Sequence, residues 1–150
     1  MKMSLKVIFT ILPFLFFTSP VFCQEFASPE LPGSEVIKSD INKDGDVDGW
    51  SYVRGGYVER QEIDMNFDGQ VDSVFIYTRD GGVKEEFLDT NHDGKIDNWR
   101  FYNEGEVIKD SMDSDFDGNI DVWFYIDRGR VYKMEEDTTG DGKPDKTTTY

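Results

Sequence analysis

The sequence has little of what cross-links and catalytic sites are usually built from. It contains one cysteine, Cys23, and one histidine, His92, among 150 residues. An internal disulfide needs two cysteines, and zinc sites take several Cys or His ligands, so we expect neither. No Ser-His-Asp set, phosphate-binding glycine loop or metalloprotease motif is present, and we therefore expect the protein not to be an enzyme.

Basic residues are also scarce: 16 Lys and Arg stand against 31 Asp and Glu, a net charge of −15. Nucleic acids and anionic membranes bind proteins through patches of Lys and Arg, so neither is an expected partner. Cations are the natural partners of such a chain. Acidic composition alone would also fit disorder, but the 3 Trp and 7 Tyr residues provide material for a packed face.

A long apolar run occurs only at the start of the chain. Residues 1–23 place Lys2 and Lys6 ahead of an apolar stretch, which is the layout of a secretory signal peptide. The stretch is about half of the roughly 20 apolar residues that cross a bilayer, so we expect no membrane span. Cleavage after Cys23 would direct a cysteine-free protein to the periplasm, the cell surface or the medium. Lipidation of Cys23 is the alternative, although Phe22 stands where bacterial lipoprotein signals carry a small residue.

Residues 24–38 are assigned to a flexible tether, because they carry Pro29, Pro32 and several polar residues without helical or strand periodicity. The remainder, residues 39–150, is a tandem repeat with units 24 or 25 residues long, and a repeat of this kind dictates the architecture. The five units begin at Asp40, Asp64, Asp89, Asp113 and Asp137.

Each unit opens with a nine-residue Asp-rich loop and continues as a strand, a glycine turn and a second strand. Aromatic residues alternate with polar ones after the loops, as in Trp50 and Tyr52 or Trp99 and Phe101, which is a strand pattern. The glycine turns are expected at Gly55-Gly56, Gly81-Gly82, Gly105 and Gly129. We predict an all-β fold: an antiparallel meander of about four β-hairpins, with the loops at one end and an aromatic stripe on one face.

The loops have the ligand chemistry of calcium sites. Ca²⁺ takes about six to eight oxygen ligands from carboxylates, amides, backbone carbonyls and water. In the first loop Asp40, Asn42 and Asp44 hold positions 1, 3 and 5, position 7 offers its backbone carbonyl, and Asp48 closes the loop at position 9. The candidate ligands at these positions of the five loops are Asp40, Asn42, Asp44, Asp46, Asp48, Asp64, Asn66, Asp68, Gln70, Asp72, Asp89, Asn91, Asp93, Lys95, Asp97, Asp113, Asp115, Asp117, Asn119, Asp121, Asp137, Thr139, Asp141, Lys143 and Asp145.

Two other features of the loops lead to expectations. Position 8 is apolar in the first four loops, which predicts that it anchors each loop against the sheet. The fifth loop has Thr139 at position 3 and Gly140 at position 4, and no second strand follows it. We expect this fifth site to be the weakest or empty. His92, at position 4 of loop 3, is expected to point to solvent.

The first six loop positions resemble the EF-hand calcium loop, in which Asp-x-Asn-x-Asp-Gly begins a site between two helices. The likeness ends there, because an EF-hand has a bidentate Glu at position 12 and strand patterns flank the loops of this chain. The residues at position 12 are Ser51, Phe75, Arg100, Phe124 and Thr148. Dockerin modules are disfavoured on the same ground.

With Asp at position 9 followed by a strand, the loops look more like two other groups of calcium loops. These are the β-hairpin loops of integrin α-subunit repeats and the Asp-rich loops of thrombospondin type 3 repeats. The full unit, a loop followed by Trp-x-Tyr and Gly, is similar to repeats of uncharacterised secreted bacterial proteins. This resemblance covers about residues 39–150 and implies Ca²⁺ binding without enzymatic activity.

Two other interpretations of the Asp residues were weighed. Asp, Asn and Gly are good turn formers, so any single loop could be a turn only. Asp at positions 1, 5 and 9 of all five loops favours a metal, because turn chemistry does not require these carboxylates and they would repel one another without a cation. Paired carboxylates could also catalyse glycoside hydrolysis, but nearly every regularly placed Asp belongs to a loop.

These patterns predict an extracytoplasmic calcium-binding repeat protein in which Ca²⁺ stabilises a structural or adhesive module. Loss of Lys2 and Lys6 with the signal would leave 14 basic against 31 acidic residues, a net charge of −17, and five Ca²⁺ ions would raise this charge to −7. The alternative is a calcium-dependent module that binds a glycan or an envelope protein through the aromatic face. The sequence leaves the oligomeric state open.

Overall fold

The computed structural model describes residues 31–150, which form one antiparallel sheet of ten strands and no helix. Strand order in space follows the chain, so the predicted all-β meander is confirmed. The predicted signal peptide, residues 1–23, and residues 24–30 of the predicted tether lie outside the described residues. The strands are β1 (Glu35–Ser39), β2 (Gly49–Arg54), β3 (Tyr57–Ile63), β4 (Ser73–Tyr77), β5 (Val83–Leu88), β6 (Asn98–Asn103), β7 (Glu106–Met112), β8 (Val122–Asp127), β9 (Arg130–Glu136) and β10 (Lys146–Thr149).

The sheet begins inside the segment assigned to the tether. Strand β1 pairs antiparallel with β2 from Glu35 opposite Val53 to Ser39 opposite Gly49. The strand escaped the sequence analysis because its five residues, EVIKS, have two adjacent apolar residues instead of an alternation. Pairing with β2 supplies the order that the local sequence does not specify.

Four hairpins repeat along the sheet, as predicted: β2–β3, β4–β5, β6–β7 and β8–β9. Three of them close through two-residue turns in which both central residues have positive φ, which suits the right-handed twist of the strands. These turns are Gly55-Gly56, Glu104-Gly105 and Arg128-Gly129. The β4–β5 hairpin has a longer connection, in which Gly81 N–H donates to the Thr78 carbonyl at 3.0 Å.

The sheet is a single layer. Each described strand contacts only the strands next to it in sequence, so no strand of residues 31–150 packs over another. The sheet is open, with β1 and β10 as its outer strands. A single open layer cannot enclose a conventional hydrophobic core, because each face has no opposing sheet or helix in this part of the chain.

The strand register places Trp50, Trp99 and Trp123 on one face, as the alternation predicted, whereas Phe75 and Phe124 lie on the other face. A continuous row of side chains crosses the sheet, and within its own hairpin each tryptophan lies opposite a polar residue: Glu62, Ser111 or Glu135. From edge to edge the row contains Lys38, Trp50, Glu62, Val74, Phe87, Trp99, Ser111, Trp123, Glu135 and Thr147. We call the side of the sheet that carries this row the aromatic face.

The buried residues of the described chain are mostly polar. Only four apolar side chains are buried: Tyr52, Val74, Ile96 and Trp123. Buried polar residues are Asp48, Arg60, Glu62, Asp64, Asp72, Ser73, Asp89, Asp97, Asn98, Ser111, Asp113 and Asp137. Since buried polar groups must be hydrogen-bonded, the order of this sheet depends strongly on its polar contacts.

One polar cluster lies on the aromatic face of the first hairpin. The Tyr52 hydroxyl donates to Glu62 Oε2 at 2.9 Å, and Arg60 forms an ion pair with the same carboxylate. The Arg60 guanidinium also lies 5.7 Å from the centre of the Tyr52 ring. Because all three side chains are buried, the charges of Arg60 and Glu62 compensate each other in a site with little access to water.

The centre of the aromatic face should be sensitive to loss of apolar volume. Val74 is fully buried in β4, whereas Val131 in β9 is 38% exposed. We expect Val74→Ala to reduce the free energy of unfolding by about 2 kcal/mol, because burial of two methyl groups is lost and a cavity remains. Val131→Ala is the matched control and should change it by less than about 0.5 kcal/mol. Urea denaturation measures both values, and equal losses would contradict this account of the face.

Candidate metal-binding loops

The five Asp-rich loops lie side by side along one end of the sheet, joined by main-chain hydrogen bonds. The first Asp of each of loops 2 to 5 donates its N–H to the carbonyl of the last Asp of the preceding loop. The four bonds, Asp64 to Asp48, Asp89 to Asp72, Asp113 to Asp97 and Asp137 to Asp121, measure 2.8 to 2.9 Å. This inter-loop ladder fixes the position of each loop against its neighbour.

The carboxylate at position 1 organises the interior of each loop. In loop 2, Asp64 Oδ1 accepts the N–H of Phe67 at 2.6 Å, and Asp64 Oδ2 accepts the N–H of Gly69 at 2.7 Å. The N–H at position 6 donates to the position 1 carboxylate in all five loops. Asp64 is 1% exposed, and these amide donors compensate for the burial of its charge.

The carboxylate at position 9 binds the opposite side of the loop. In loop 2, Asp72 Oδ2 accepts the N–H groups of Met65 at 2.7 Å and Asn66 at 3.0 Å. The N–H at position 2 donates to this carboxylate in every loop. In loops 3 to 5 a hydroxyl at position 2 donates as well, and the sequence analysis had not singled out these residues: Thr90, Ser114 and Thr138.

Positions 3 and 5 point their side-chain oxygens into the loop. In loop 1, Asn42 Oδ1 accepts the N–H of Asp44 at 2.9 Å, and Asp44 Oδ1 accepts the N–H of Asp46 at 2.9 Å. The N–H of Asp46, followed by the side-chain amide of Asn42, lowers the pKa of the Asp44 carboxyl. Carboxylate and amide oxygens have two lone pairs each, so one bond to an N–H leaves room for a second partner.

Every loop also requires positive φ at two positions. Position 6 is always glycine, as the sequence indicated. Position 4 has φ between 61° and 68° at Lys43, Phe67, His92 and Phe116. The sequence pattern did not indicate this second requirement, because position 4 carries a different residue in nearly every loop. At φ 73° Gly140 adopts the same conformation without the steric cost that a side chain pays there.

Loop 4 has the strongest geometry for a metal ion among the described residues. One carboxylate oxygen from each of Asp113, Asp115 and Asp117 lies within 4.8 Å of the others, so the three residues could hold a metal. Burial raises the pKa of the Asp113 carboxyl against the lowering effect of the N–H groups of Gly118 and Phe116, and the charge of Asp121 raises it further. Loops 1 to 3 differ because an Asn replaces the carboxylate at position 3.

Loop 5 keeps positive φ at positions 4 and 6, but the N–H of Thr139 at position 3 donates to Asp137 instead of to the carboxylate at position 9. Burial raises the pKa of Asp137, but the N–H groups of Thr139, Gly142 and Gly140 and the Thr139 hydroxyl together lower it to about 2. The Thr139 hydroxyl donates to Asp137 Oδ1 at 3.1 Å. Loop 5 therefore keeps the folded arrangement while Thr139 takes the place of a carboxylate or amide ligand.

Contacts between neighbouring loops involve positions 4 and 7. His92 was expected to point to solvent, but its Nδ1 lies 2.9 Å from Asp72 Oδ1 of loop 2, and the side chain is 47% exposed. The Gln70 side chain at position 7 lies against Gly94 of loop 3, where any Cβ would clash with its oxygen. Asn119 also lies near Gly142 of loop 5, but a Cβ there would meet its oxygen at an ordinary contact distance of 3.4 Å. Position 7 of loops 2 and 4 thus contacts the next loop through its side chain.

The apolar residues at position 8 anchor the loops unequally. Ile96 is buried, Val71 and Ile120 are half-buried, and Val47 is 37% exposed. The expected anchor is therefore well developed in loop 3 and weak in loop 1. Loop 1 lies at the edge of the array, so it has a neighbouring loop on one side only.

Comparison with known proteins bears on the fold alone. No protein-family model and no curated protein matches the chain. Two solved structures share its fold: that of accessory secretory proteins 1, 2 and 3 of Streptococcus pneumoniae and that of a GtfA/B complex bound to UDP and GlcNAc. The first has a TM-score of 0.52 at 11% identity and covers 71% of this chain and 19% of the solved chain. The second has a TM-score of 0.53 at 17% identity and covers 87% and 26%.

Both likenesses concern a part of a larger protein, because this chain spans about a fifth to a quarter of the length of the solved chains. At these identities they support the meander architecture and carry no activity over to this chain.

Residues 31–150 contain no helix that is long and apolar enough to cross a membrane.

His92 should report the contact between loops 2 and 3 as a shifted titration. The hydrogen bond to Asp72 raises the pKa of His92 above its ordinary value of 6.5, so the folded chain binds this proton more tightly than the unfolded chain does. The contact therefore stabilises the fold below pH 6.5, and the stabilisation is lost as pH rises through the raised pKa. NMR titration in EDTA measures this pKa directly, because His92 is the only histidine. A folded-state pKa equal to that in urea would contradict the contact.

Proposed function

We propose that the protein is a calcium-binding repeat protein that acts outside the cytoplasm, where Ca²⁺ rigidifies a structural or adhesive sheet. The observation that carries this proposal is the carboxylate group of loop 4, in which Asp113, Asp115 and Asp117 bring three oxygens within 4.8 Å of one another. All five loops share the hydrogen bonds from the position 6 N–H to the position 1 carboxylate and from the position 2 N–H to the position 9 carboxylate, so a site formed in one loop has a counterpart in the rest.

A cation would relieve the electrostatic cost of this arrangement. Amide donors hold each loop together, but they do not neutralise its charge. The raised pKa of Asp113 indicates that this carboxylate is ionised at a cost, through its burial and the nearby charge of Asp121. A divalent ion at positions 1, 3 and 5 would offset that cost, because it would use the lone pairs that the loop amides leave available.

The donor set favours Ca²⁺ over other metals. The candidate ligands of loops 1 to 4 are oxygens of carboxylates, side-chain amides and the main chain, and a single histidine excludes the usual nitrogen-rich transition-metal sites. Ca²⁺ accepts such oxygens in varied numbers and geometries, whereas Mg²⁺ requires a compact octahedron. The signal-peptide pattern of residues 1–23 supports export to a compartment where calcium is abundant. We propose no catalytic role for the loops.

A second function is favoured by the exposed part of the aromatic side chains near β8 and β9. A shallow cleft of about 630 Å³ is lined by Ile108, Lys109, Tyr125, Ile126, Asp127 and Tyr132. The Lys133 ammonium lies 3.6 Å from the centre of the Tyr125 ring, and Tyr132 is 49% exposed. Aromatic rings beside charged groups suit a glycan or a protein partner, so a calcium-dependent binding module is the alternative to a purely structural role.

Metal binding should be visible through the tryptophans that follow the loops. We expect Tb³⁺ to give luminescence sensitised by tryptophan excitation in the full chain, and Ca²⁺ to displace it at concentrations where Mg²⁺ does not. Asp113→Asn with Asp117→Asn should remove one bound ion from the calorimetric stoichiometry, because loop 4 loses two charged ligands while Asn can still accept the loop amides.

Asp127→Asn is the matched control for this experiment, because Asp127 is an exposed Asp at the hairpin-turn end of β8. It should leave the stoichiometry unchanged. Absence of any sensitised signal up to millimolar metal would reduce the loops to turns and remove the basis for calcium binding. If the control and the loop 4 variant lost the same number of bound ions, the ions would be bound elsewhere on the acidic surface.

Calcium should also stabilise the fold. An ion that binds only the folded state adds about 2.7 kcal/mol per independent site when its free concentration is a hundred times its Kd. We therefore expect the midpoint of urea unfolding to rise with Ca²⁺ and to return to its starting value on addition of EDTA. Sodium chloride at equal ionic strength is the control for general screening of the negative charge. A rise of the same size in sodium chloride would contradict specific binding.

A further inference from the structure

The two outer strands of the described sheet are complementary halves of a hairpin. Every hairpin consists of a first strand that follows a loop and a second strand that precedes the next loop. Strand β10 follows loop 5 and is therefore a first strand, whereas β1 precedes loop 1 and is a second strand. Among residues 31–150, β10 lacks a second-strand neighbour and β1 lacks a first-strand neighbour.

The inner hairpins define how these two strands would pair. In each hairpin the first residue after a loop lies opposite the last residue before the next loop. Asn98, which follows loop 3, lies opposite Met112, which precedes loop 4. Applied to β10 and to β1 of a second copy, this register places Lys146 opposite Ser39 and Thr147 opposite Lys38. Thr147 and Lys38 are the two ends of the row on the aromatic face, so the row would continue from one copy into the next.

The hydrogen-bonding groups of both strands face the required direction. Tyr150 N–H donates to the Tyr132 carbonyl of β9, so in an antiparallel strand the N–H and C=O of Thr147 and Thr149 point away from β9. The Ser39 carbonyl accepts from Asp48 N–H, so the corresponding groups of Lys38 point away from β2. The outward N–H and C=O groups of β10 and β1 are therefore the donors and acceptors that would bond to each other in this register.

The inter-loop ladder also ends in complementary groups. Within the described chain it terminates at the N–H of Asp40 in loop 1 and the carbonyl of Asp145 in loop 5. Between neighbouring loops inside the array, the same two groups form the ladder hydrogen bond. The carboxylates at position 1 are buried in loops 2 to 5, but Asp40 is exposed because no loop precedes it. A loop 5 from another copy would cover it as the inner loops cover their neighbours.

Neither outer strand contains a proline or a β-bulge. Strand β10 has the sequence KTTT, with three β-branched residues and no proline, and Val36 and Ile37 of β1 are exposed. In loops 2 and 4 the position 7 side chain lies against the glycine of the next loop, and Lys143 holds position 7 in loop 5. Lys143 would face the carboxylates of loop 1 in the next copy, but both loops are net negative, so the contact depends on main-chain pairing.

We propose that copies of this chain associate head to tail, with β10 of one copy paired antiparallel to β1 of the next and loop 5 set beside loop 1. The joint reproduces the four first-strand to second-strand pairings within each copy, so the sheet and the loop array run on without a change of register. Because the two edges differ, each added copy exposes the same free edge again, and the assembly is an open linear array.

Two edge-blocked variants of the full chain test this arrangement. Thr147→Pro removes an outward N–H from β10, and Lys38→Pro removes one from β1; neither removes a bond inside the sheet. Sedimentation velocity should show the mass of the unaltered chain rising with concentration and each proline variant remaining a monomer. An equimolar mixture of the two variants should give twice the monomer mass and no larger species, because each variant retains one functional edge. Thr147→Ala and Lys38→Ala, which keep the N–H, should associate like the unaltered chain.

Several outcomes would overturn the proposal: an unaltered chain that stays monomeric across the concentration series, a proline variant that still associates alone, or a mixture that stays monomeric. Hydrogen exchange supplies a second measurement if a proline variant fails to fold. In the unaltered chain the amides of Lys38, Asp40 and Thr147 should exchange more slowly as concentration rises, and unchanged exchange of these amides would reject the joint. The experiments are run in EDTA and in Ca²⁺, and association in either condition supports the joint.

Discussion

The hydrogen bond between the first Asp of one loop and the last Asp of the preceding loop is the contact on which the rest of this molecule depends. It closes the end of each hairpin opposite the glycine turn and sets each loop directly beside the next. The carboxylates of the same two residues then collect the amides of positions 2 to 6. A residue type that would be a solvated surface charge in most proteins is here the organising element of the sheet end.

This arrangement explains how a single layer can be ordered with few buried apolar side chains. Main-chain ladders, loop amides and the mixed row of the aromatic face share the role that a hydrophobic core has in a two-layer domain. The cost is a concentration of negative charge along one end of the sheet. The proposed Ca²⁺ sites would offset this charge where it is densest, so metal binding and order of the sheet are expected to depend on each other.

Repetition has a further consequence at the edges. Each inner unit is held by the same register and the same ladder bond, so the outer strands keep the features of an interior joint. An edge of this kind differs from the protected edges of most sheets, which carry prolines, bulges or inward charges. The exposure of Asp40, compared with the burial of its counterparts in loops 2 to 5, shows directly what a neighbouring loop contributes.

The sequence by itself determined the all-β class, the four hairpins, the glycine turns, the aromatic face and the five loops, because each depends on local spacing: a period of 24 or 25 residues, alternation by two and glycine where φ is positive. Only the tertiary structure decided that β1 joins the sheet, that the sheet is one open layer, that position 4 adopts positive φ, and that His92 contacts Asp72. The pairing of β1 and the His92 contact join segments about 10 to 20 residues apart, which no local pattern specifies. The positive φ at position 4 is set within the loop, where the carboxylate at position 1 accepts the N–H at position 4 in loops 1, 2 and 5.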